Sequence, residues 1–507
     1  MRMRDMLATL AARGSAGPLD GEITGITNQS DMVTPGACFV AISGRRADGH
    51  RYIGEACARG AALVVGEAEP PPDLARSTVY VRVADARSAL ATLAGAYYRY
   101  PSRRLNLIGV TGTDGKTTTV NLIERVLRAG GRRCDLMSTV DRTVGGARQP
   151  NASRFTTPEA PEIEAALAEM LVAGAESVVL ETTSAALEMG RVAEIAFDSA
   201  VLTNITLEHL EVHGTLERYR RAKAMLFEAI DPARRKPATA PMPHVCVLNA
   251  DDSSCAYIRP FCRAEVLTYG IERPADVRAE RLALSPHGAR FRVCLPDGGA
   301  CEVVTALAAR FNVSNCLAAI AVGYAHGIAP QAMAEALASF RGVPGRMQRL
   351  DLGQPFTVIV DYAHTPDSLE KMLRSLRAFT AGRLIVLFGS AGERDRAKRP
   401  LMGAVAARLA DLSVITDEDP RFEDPAAIRA EIAAGALAAG GREGQTFWCI
   451  ADRQEAIAVA LGLARTGDTV LLAGKGHERT QLTQRGPQPW DEAAIARAAL
   501  SACGSPA

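Results

Sequence analysis

Seven consecutive residues, Thr111-Gly112-Thr113-Asp114-Gly115-Lys116-Thr117, bring together the groups that a phosphate requires. Glycines let backbone N–H groups approach phosphate oxygens, the N-terminus of a following helix favours anions, Lys116 adds a point charge, and the Thr117 hydroxyl can hold Mg²⁺. Thr118 extends the run. The strict Walker spacing is absent, since two residues rather than four separate Gly112 from Gly115, so the strand before and the helix after carry the reading. Further on, Glu181 ends an apolar run at 177–180, which aims a carboxylate at the same sheet edge and makes it a natural Mg²⁺ ligand. His209 and His213 are spaced i, i+4 like a metal pair, a spacing also common by chance. Lys223, on spacing alone, is an ordinary helical lysine.

These groups need a scaffold that places them together. Residues 105–110 read as a strand and 118–129 as a helix, stopped by Gly130 and Gly131. Buried-strand patterns recur at 177–180, 199–203, 244–248 and 266–269, with helices at 159–173 and 216–230, which predicts a parallel sheet covered by helices. The segment 236–243 reads as a surface loop, and 278–304 alternates about an Asp297-Gly298-Gly299 hairpin signal. A second doubly wound sheet is predicted from strands at 356–360, 384–388, 412–415, 446–450 and 469–472. Its carboxyl ends carry Asp361, His364, the 389–394 loop with Arg394, the 417–421 loop and the 474–478 loop, where ligands gather in such sheets. Before all this, short strands at 37–42, 61–65 and 79–83 precede a helix at 86–98. Punctuation near 101–103 and 341–345 gives three domains, 1–103, 104–343 and 344–507.

With 507 residues there is room for about three domains, at roughly 100 to 200 residues each. Lys plus Arg number 58 against 57 Asp plus Glu, a net charge of +1, so the electrostatic footprint of a nucleic-acid or membrane-surface binder is missing. Eleven cysteines, without a Cys-x-x-Cys pair, read as reduced thiols in a cytoplasmic protein and argue against a structural metal. The N-terminal apolar patch is interrupted by Asp5 and Arg13, so an amphipathic surface helix is expected there. No apolar run approaches the roughly 20 residues of a membrane span.

Taken in order, several segments resemble the Mur ligases of peptidoglycan synthesis. They are Ser30-Asp31-Met32-Val33-Thr34-Pro35-Gly36, Asp48-Gly49-His50, the Gly109 to Thr118 run, Thr156-Thr157-Pro158-Glu159 and Thr203-Asn204-Ile205-Thr206. Beyond these come Tyr219 with Ala222-Lys223, Phe311-Asn312-Val313-Ser314-Asn315, Pro344-Gly345-Arg346, Asp361-Tyr362-Ala363-His364-Thr365-Pro366, Lys398-Arg399-Pro400, Asp419-Pro420-Arg421 and Gly474-Lys475-Gly476-His477-Glu478. Each alone is weak; their order along nearly the whole chain is specific.

The resemblance implies an α/β fold in three domains: a small uridine-binding domain, a P-loop-type central parallel sheet and a Rossmann-like C-terminal domain. It implies an ATP-dependent ligase that joins a diamino acid to the D-glutamyl carboxylate of UDP-N-acetylmuramoyl-L-alanyl-D-glutamate through an acyl phosphate. An Arg at position 421 and Glu478 favour meso-diaminopimelate, with L-lysine or L-ornithine as alternatives that the acidic Asp417, Glu418 and Asp419 would suit. Residue by residue, Ser30 and His50 would hold the UDP end. Thr156, Thr157, Ser184 and Arg191 would grip the muramoyl dipeptide, and Arg394, Asp419, Pro420, Arg421, Gly474 and Glu478 the diamino acid. Asn312, Asn315, Arg346, Asp361 and His364 would join residues 112–118 around ATP. Thr117, Glu181, His209 and a carbamylated Lys223 would hold Mg²⁺, with Lys116, Glu181, Lys223 and His209 as the catalytic set. A monomer is expected. The chain departs from the family's pattern at Asp114, Ala185, Leu207, Asp31 and Gln348, which also leaves open a nucleotide-binding paralogue with impaired catalysis.

Overall fold

The structure, a computed structural model, describes residues 1–10, 14–16, 20–44, 47–75, 77–151, 153, 155–206, 213–234, 236 and 242–503. By its internal contacts the chain divides into two compact units, Met1–Tyr269 with Ala318–Ala329, and Gly270–Leu317 with Pro330–Ala507.

The first unit holds two sheets. A small one has the strand order Gly14–Ala16, Val79–Arg82, Leu63–Gly66, Cys38–Val40, Ile26–Thr27, parallel except for its first strand. Helix Ala86–Tyr97 packs its Leu90, Leu93 and Ala94 against it, and starts where the Asp85 carboxylate accepts from the N–H groups of Arg87 (2.9 Å) and Ser88 (3.1 Å). The N-terminal helix is shorter than two turns, Met3–Leu7, and buries Met3 and Met6. The larger sheet runs Glu265–Gly270, Val245–Asn249, Ser199–Leu202, Asn106–Thr111, Ser177–Glu181, Cys134–Met137, all parallel. The central strand Asn106–Thr111 is buried on both faces because helices cover both, as Lys116–Ala129 and Ala160–Val172 do. A hairpin of Asp141–Val144 and Ala147–Pro150, absent from the sequence reading, extends the edge.

Register sets the chemistry. Asn106–Thr111 is the central strand, Glu181 is paired with Val110, and Leu202 with Thr111. The residues that follow these three strands therefore meet at one edge.

In the second unit a meander of Val277–Ser285, Gly288–Cys294 and Ala300–Thr305 turns at residues 297–299 as expected. The six-stranded sheet has the order Gln348–Leu350, Thr357–Asp361, Thr469–Ala473, Leu384–Phe388, Leu412–Ile415, Phe447–Cys449. Only Gln348–Leu350 is antiparallel, and this edge strand was not foreseen; neither was the hairpin Thr480–Thr483/Gly486–Pro489. Helix Pro366–Arg377 is started by a capping box of Thr365 and Ser368 and buries Leu369, Met372, Leu373 and Leu376. The cysteines whose side chains are described are free thiols, and no helix among the described residues is long and apolar enough to cross a membrane.

Candidate active site

The phosphate loop lies between Asn106–Thr111 and Lys116–Ala129, and the helix begins at Lys116, two residues earlier than the periodicity indicates. Gly112 adopts φ 154°, and a Cβ there would lie 1.8 Å from Thr203 Oγ1, so only glycine fits. Thr203 and Asn204 clamp the loop: Thr203 Oγ1 donates to Asp114 O (2.6 Å), Asn204 Nδ2 donates to the same carbonyl (3.1 Å), and Asp114 N donates to Asn204 Oδ1 (3.0 Å).

Two lysines converge on it. Lys116 Nζ donates to Gly112 O (3.0 Å) and Thr113 O (2.7 Å), while Lys223 Nζ, from helix Leu216–Glu228, donates to Gly112 O (2.7 Å). Lys223 is only 1% exposed and lies 4.3 Å from the centroid of the Tyr219 ring. Tyr219 in turn places its hydroxyl 3.2 Å from Thr113 Oγ1. Buried Glu181 accepts from the Thr117 hydroxyl (3.0 and 3.2 Å) and from Thr139 N (2.9 Å).

The residues assigned to the muramoyl dipeptide are linked to this strand end or to its neighbours. Thr157 Oγ1 donates to Glu181 O (2.8 Å) and accepts from Thr183 N (3.0 Å); Thr156 Oγ1 accepts from the Thr139 hydroxyl (3.1 Å). Arg191 donates to Thr157 O (3.0 Å), pairs with Glu159 (2.9 Å) and stacks over Phe155. Ser184 Oγ is 3.0 Å from His213 Nε2, and His213 Nδ1 lies 3.2 Å from a Glu188 carboxylate oxygen. His213 thus faces Ser184 and Glu188. His209, with Leu207 and Glu208, lies outside the described residues.

In the small sheet, His50 Nδ1 faces Asp48 (2.7 Å), and its Nε2 accepts from Glu67 N (3.0 Å). Ser30 donates to Glu55 (2.8 Å). Both hold loops in place.

In the second unit the expected nucleotide residues fall into two groups. On helix Arg310–Ala325, Asn312 Nδ2 donates to Ala308 O (2.8 Å) and Asn315 Nδ2 to Asn312 Oδ1 (3.1 Å). At the end of Thr357–Asp361, Asp361 accepts from Met347 N (2.7 Å) and Ala363 N (2.8 Å), and His364 Nδ1 faces Tyr362 O (2.8 Å). The Arg346 guanidinium stacks on Tyr362, 4.6 Å from the ring centroid.

The expected diamino-acid residues meet around a cation that sequence reasoning passed over, fully buried Lys475. It donates to Asp419 Oδ1 (2.8 Å), Thr480 O (2.7 Å) and Glu478 Oε2. Glu478 Oε1 accepts from the Tyr362 hydroxyl (3.2 Å), so both of its oxygens are engaged; burial raises its carboxyl while Lys475 opposes the rise. Arg421 takes a left-handed φ of 55°, its N–H donates to Leu482 O (3.0 Å), and its buried Nε has no partner among the described residues. Glu418 Oε2 is likewise buried without a partner, and burial raises that carboxyl. A Cβ on Gly474 would stand 2.8 Å from it. Asp417 pairs with Arg429, Pro420 is buried, and Arg394 is exposed on its loop. The local signal for Lys475 was its place between two glycines after the buried strand Thr469–Ala473, where an unpaired cation is costly. Thr139 acts through its backbone N–H, which no residue type announces.

A glycine loop on a helix N-terminus, two lysines and a buried carboxylate with a hydroxyl make a site for a polyphosphate and a hard cation. The oxygen donors Thr117 and Glu181 fit Mg²⁺. This is the constitution of a nucleotide-dependent group-transfer enzyme of the α/β class. Family models match in sequence: the Mur ligase family, catalytic domain at 22–98, the Mur ligase middle domain at 110–323, and the Mur ligase, glutamate ligase domain at 345–476. The chain is 50% identical to the UDP-N-acetylmuramyl-tripeptide synthetase of Roseiflexus sp. (strain RS-1), over 99% of each chain. It is 43% identical to the UDP-N-acetylmuramoyl-L-alanyl-D-glutamate–2,6-diaminopimelate ligase of Geobacillus thermodenitrificans (strain NG80-2), over 94% of this chain and 95% of the relative. A solved structure of a ligase with that second name superposes with a TM-score of 0.65 at 30% identity, over 99% of each chain. The chain belongs to the Mur ligase family and is an ATP-dependent, amide-forming ligase of peptidoglycan precursor synthesis.

Proposed function

We propose that the chain joins meso-diaminopimelate to the D-glutamyl carboxylate of UDP-N-acetylmuramoyl-L-alanyl-D-glutamate, with ATP as phosphoryl donor. The observation that carries the choice of amino acid is the Arg421/Glu418 pair of unpartnered buried polar atoms, three residues apart on one loop. Buried polar groups without partners are rare and costly, so a ligand that supplies both a carboxylate and an ammonium completes them. The distal centre of meso-diaminopimelate has both, whereas lysine and ornithine end in an ammonium alone. The acidity that would have favoured a plain cation is largely internal, because Asp417 is paired with Arg429 and Asp419 with Lys475. Glu478 stands beside this centre and Arg394 on the neighbouring loop. A coupled ADP-release assay with UDP-muramoyl dipeptide and a panel of amino acids tests the reading; preference for L-lysine or L-ornithine overturns it.

In the reaction the D-glutamyl carboxylate attacks the γ-phosphorus of ATP, ADP leaves, and an acyl phosphate replaces a poor electrophile. The amine then attacks that carbonyl and phosphate departs. Lys116 and the loop N–H groups steady the transferring charge, so catalysis is chiefly positioning and electrostatic. Thr117, Glu181, His209 and Lys223 would hold Mg²⁺, which when bound neutralises phosphate charge. For Lys223 the reading is a carbamate, which turns a buried cation into a carboxylate-like ligand. Lys223→Ala is then expected to lose most activity and to recover part of it with added short carboxylates; wild-type rates in that variant reduce the lysine to a helix residue. Thr156, Thr157, Ser184 and Arg191 would grip the muramoyl dipeptide, Ser30 and His50 the UDP end, and Asn312, Asn315, Arg346, Asp361 and His364 the nucleotide. The reading further includes domains at 1–103, 104–343 and 344–507, a monomer, and a cytoplasmic location.

A further inference from the structure

Helix Arg453–Gly462 opens under the Asp452 cap with an arginine that is completely buried. The Arg453 guanidinium forms a two-pronged pair with Glu492, Nε to Oε2 at 3.0 Å and Nη2 to Oε1 at 2.6 Å. Glu492 opens the C-terminal helix Glu492–Cys503 and is itself fixed by the indole N–H of Trp490 (2.8 Å). The remaining donors of Arg453 point at main chain: Nη2 donates to Ala473 O (2.7 Å), and Nη1 lies 3.5 Å from Asp417 O.

Those two carbonyls stand immediately before Gly474 and Glu418. On the loops they introduce, Gly474 lies against the Glu418 side chain, where a Cβ would come within 2.8 Å of Oε2. A single planar cation therefore ties together the backbones of the two loops that the proposed function assigns to the incoming amino acid. Lysine could not replace it, since one ammonium lacks the fork geometry that serves a carboxylate and two carbonyls at once. We infer that Arg453, fixed by Glu492, is a positioning residue that sets the spacing between the 417–421 and 474–478 loops and hence the fit of the diamino acid. The inference rests on the proposed amino-acid site for its kinetic consequence, and on geometry alone for its structural one.

The test uses the full-length enzyme. Replacing a buried ion pair by apolar residues of similar volume is often neutral for stability, so Arg453→Met/Glu492→Leu is the informative variant. It is expected to melt close to the wild type, to raise the KM for meso-diaminopimelate about tenfold or more, and to leave the KM for ATP and for UDP-muramoyl dipeptide unchanged. Amide hydrogen exchange at 417–421 and 474–478 is expected to quicken. If the double variant melts normally, keeps its KM and shows unchanged exchange, the pair is packing only and the inference falls. Should it fail to fold, Arg453→Lys carries the same measurements, with the same outcomes supporting or overturning the claim. Should the wild type refuse diaminopimelate, the proposed substrate is wrong, and the exchange measurement still decides whether Arg453 holds the loops.

Discussion

The phosphate-loop edge of the first unit and the proposed amino-acid edge of the second are both built at the carboxyl ends of parallel strands, yet they treat charge differently. At the first edge, Lys116 rests on the carbonyls of Gly112 and Thr113, and Glu181 on a hydroxyl and an N–H. At the second, side chains answer one another: Lys475 lies between Asp419 and Glu478, Arg453 against Glu492, and Arg399 between Glu423 and Glu431. A lysine held by dipoles can turn to an arriving phosphate without leaving an opposite charge stranded. A buried ion pair cannot be broken so cheaply, because the abandoned partner remains in a poor solvent for charge. The first edge is therefore arranged for charge that arrives and departs, the second for a frame of fixed ion pairs set around the unpartnered Glu418 and Arg421.

Substitutions can break this contrast. The largest effect on turnover is expected from Lys116→Ala and Glu181→Ala, each lowering ADP release by about a thousandfold or more with melting temperatures near the wild type. Normal turnover in either would remove the phosphate and metal assignment. By contrast, Lys475→Met is expected to destabilise the fold by about 3–5 kcal/mol, since Asp419 and Glu478 would face each other without their cation; an unchanged denaturation midpoint would show that the second edge is not a fixed frame. Arg421→Ala is expected to raise the KM for meso-diaminopimelate well over tenfold, about 2 kcal/mol or more for a lost bidentate partner, and to spare that for ATP. Equal rises for both substrates would place Arg421 elsewhere in the cycle.

The smallest effect concerns a carboxyl that belongs to neither edge. Glu164 is 1% exposed, has an oxygen without a partner, and is pushed by burial and by Glu194 from its ordinary 4.5 up to about 8. The folded chain holds this proton where the unfolded chain has lost it, so the contribution is fully present below pH 4.5 and is lost as the pH rises towards 8. Glu164→Gln is expected to flatten that decline, as read from melting curves across pH. An unaltered pH profile would mean the carboxylate finds water.

How far the sequence reached follows the same contrast. The strands Leu384–Phe388 and Leu412–Ile415 match their expected limits because both faces are buried and the apolar runs end sharply at Gly389 and Thr416. Ala147–Pro150 and Gln348–Leu350 were missed because edge strands half-exposed to water carry no apolar signal, and Asp141–Val144 because the residues it buries, Asp141 and Thr143, are polar. The phosphate loop was legible because its parts are contiguous. Lys475 and Thr139 were not, because each takes its weight from a partner tens of residues away, Asp419 and Glu181, that only the sheet order brings near. Glu478 was assigned to the diamino acid from its motif; its engagement by Lys475 and Tyr362 depends on tertiary contacts that a motif does not contain.

Gly345 and Gly476 stand backbone to backbone: a Cβ on the first would lie 2.1 Å from His477 N and 2.3 Å from the Gly476 carbonyl carbon, and one on the second 2.9 Å from Gly345 O. Apart from Tyr362 Cβ, 2.8 Å from a Cβ on Gly476, main chain meets main chain here, so no side-chain trimming short of glycine makes room for a neighbour's growth. Neither position can drift, and a change at one cannot be rescued at the other. For anyone seeking to transplant the 474–478 loop from a relative with different tastes in amino acids, the smallest graft that will seat is two pieces of chain, with residues 344–346 travelling alongside it.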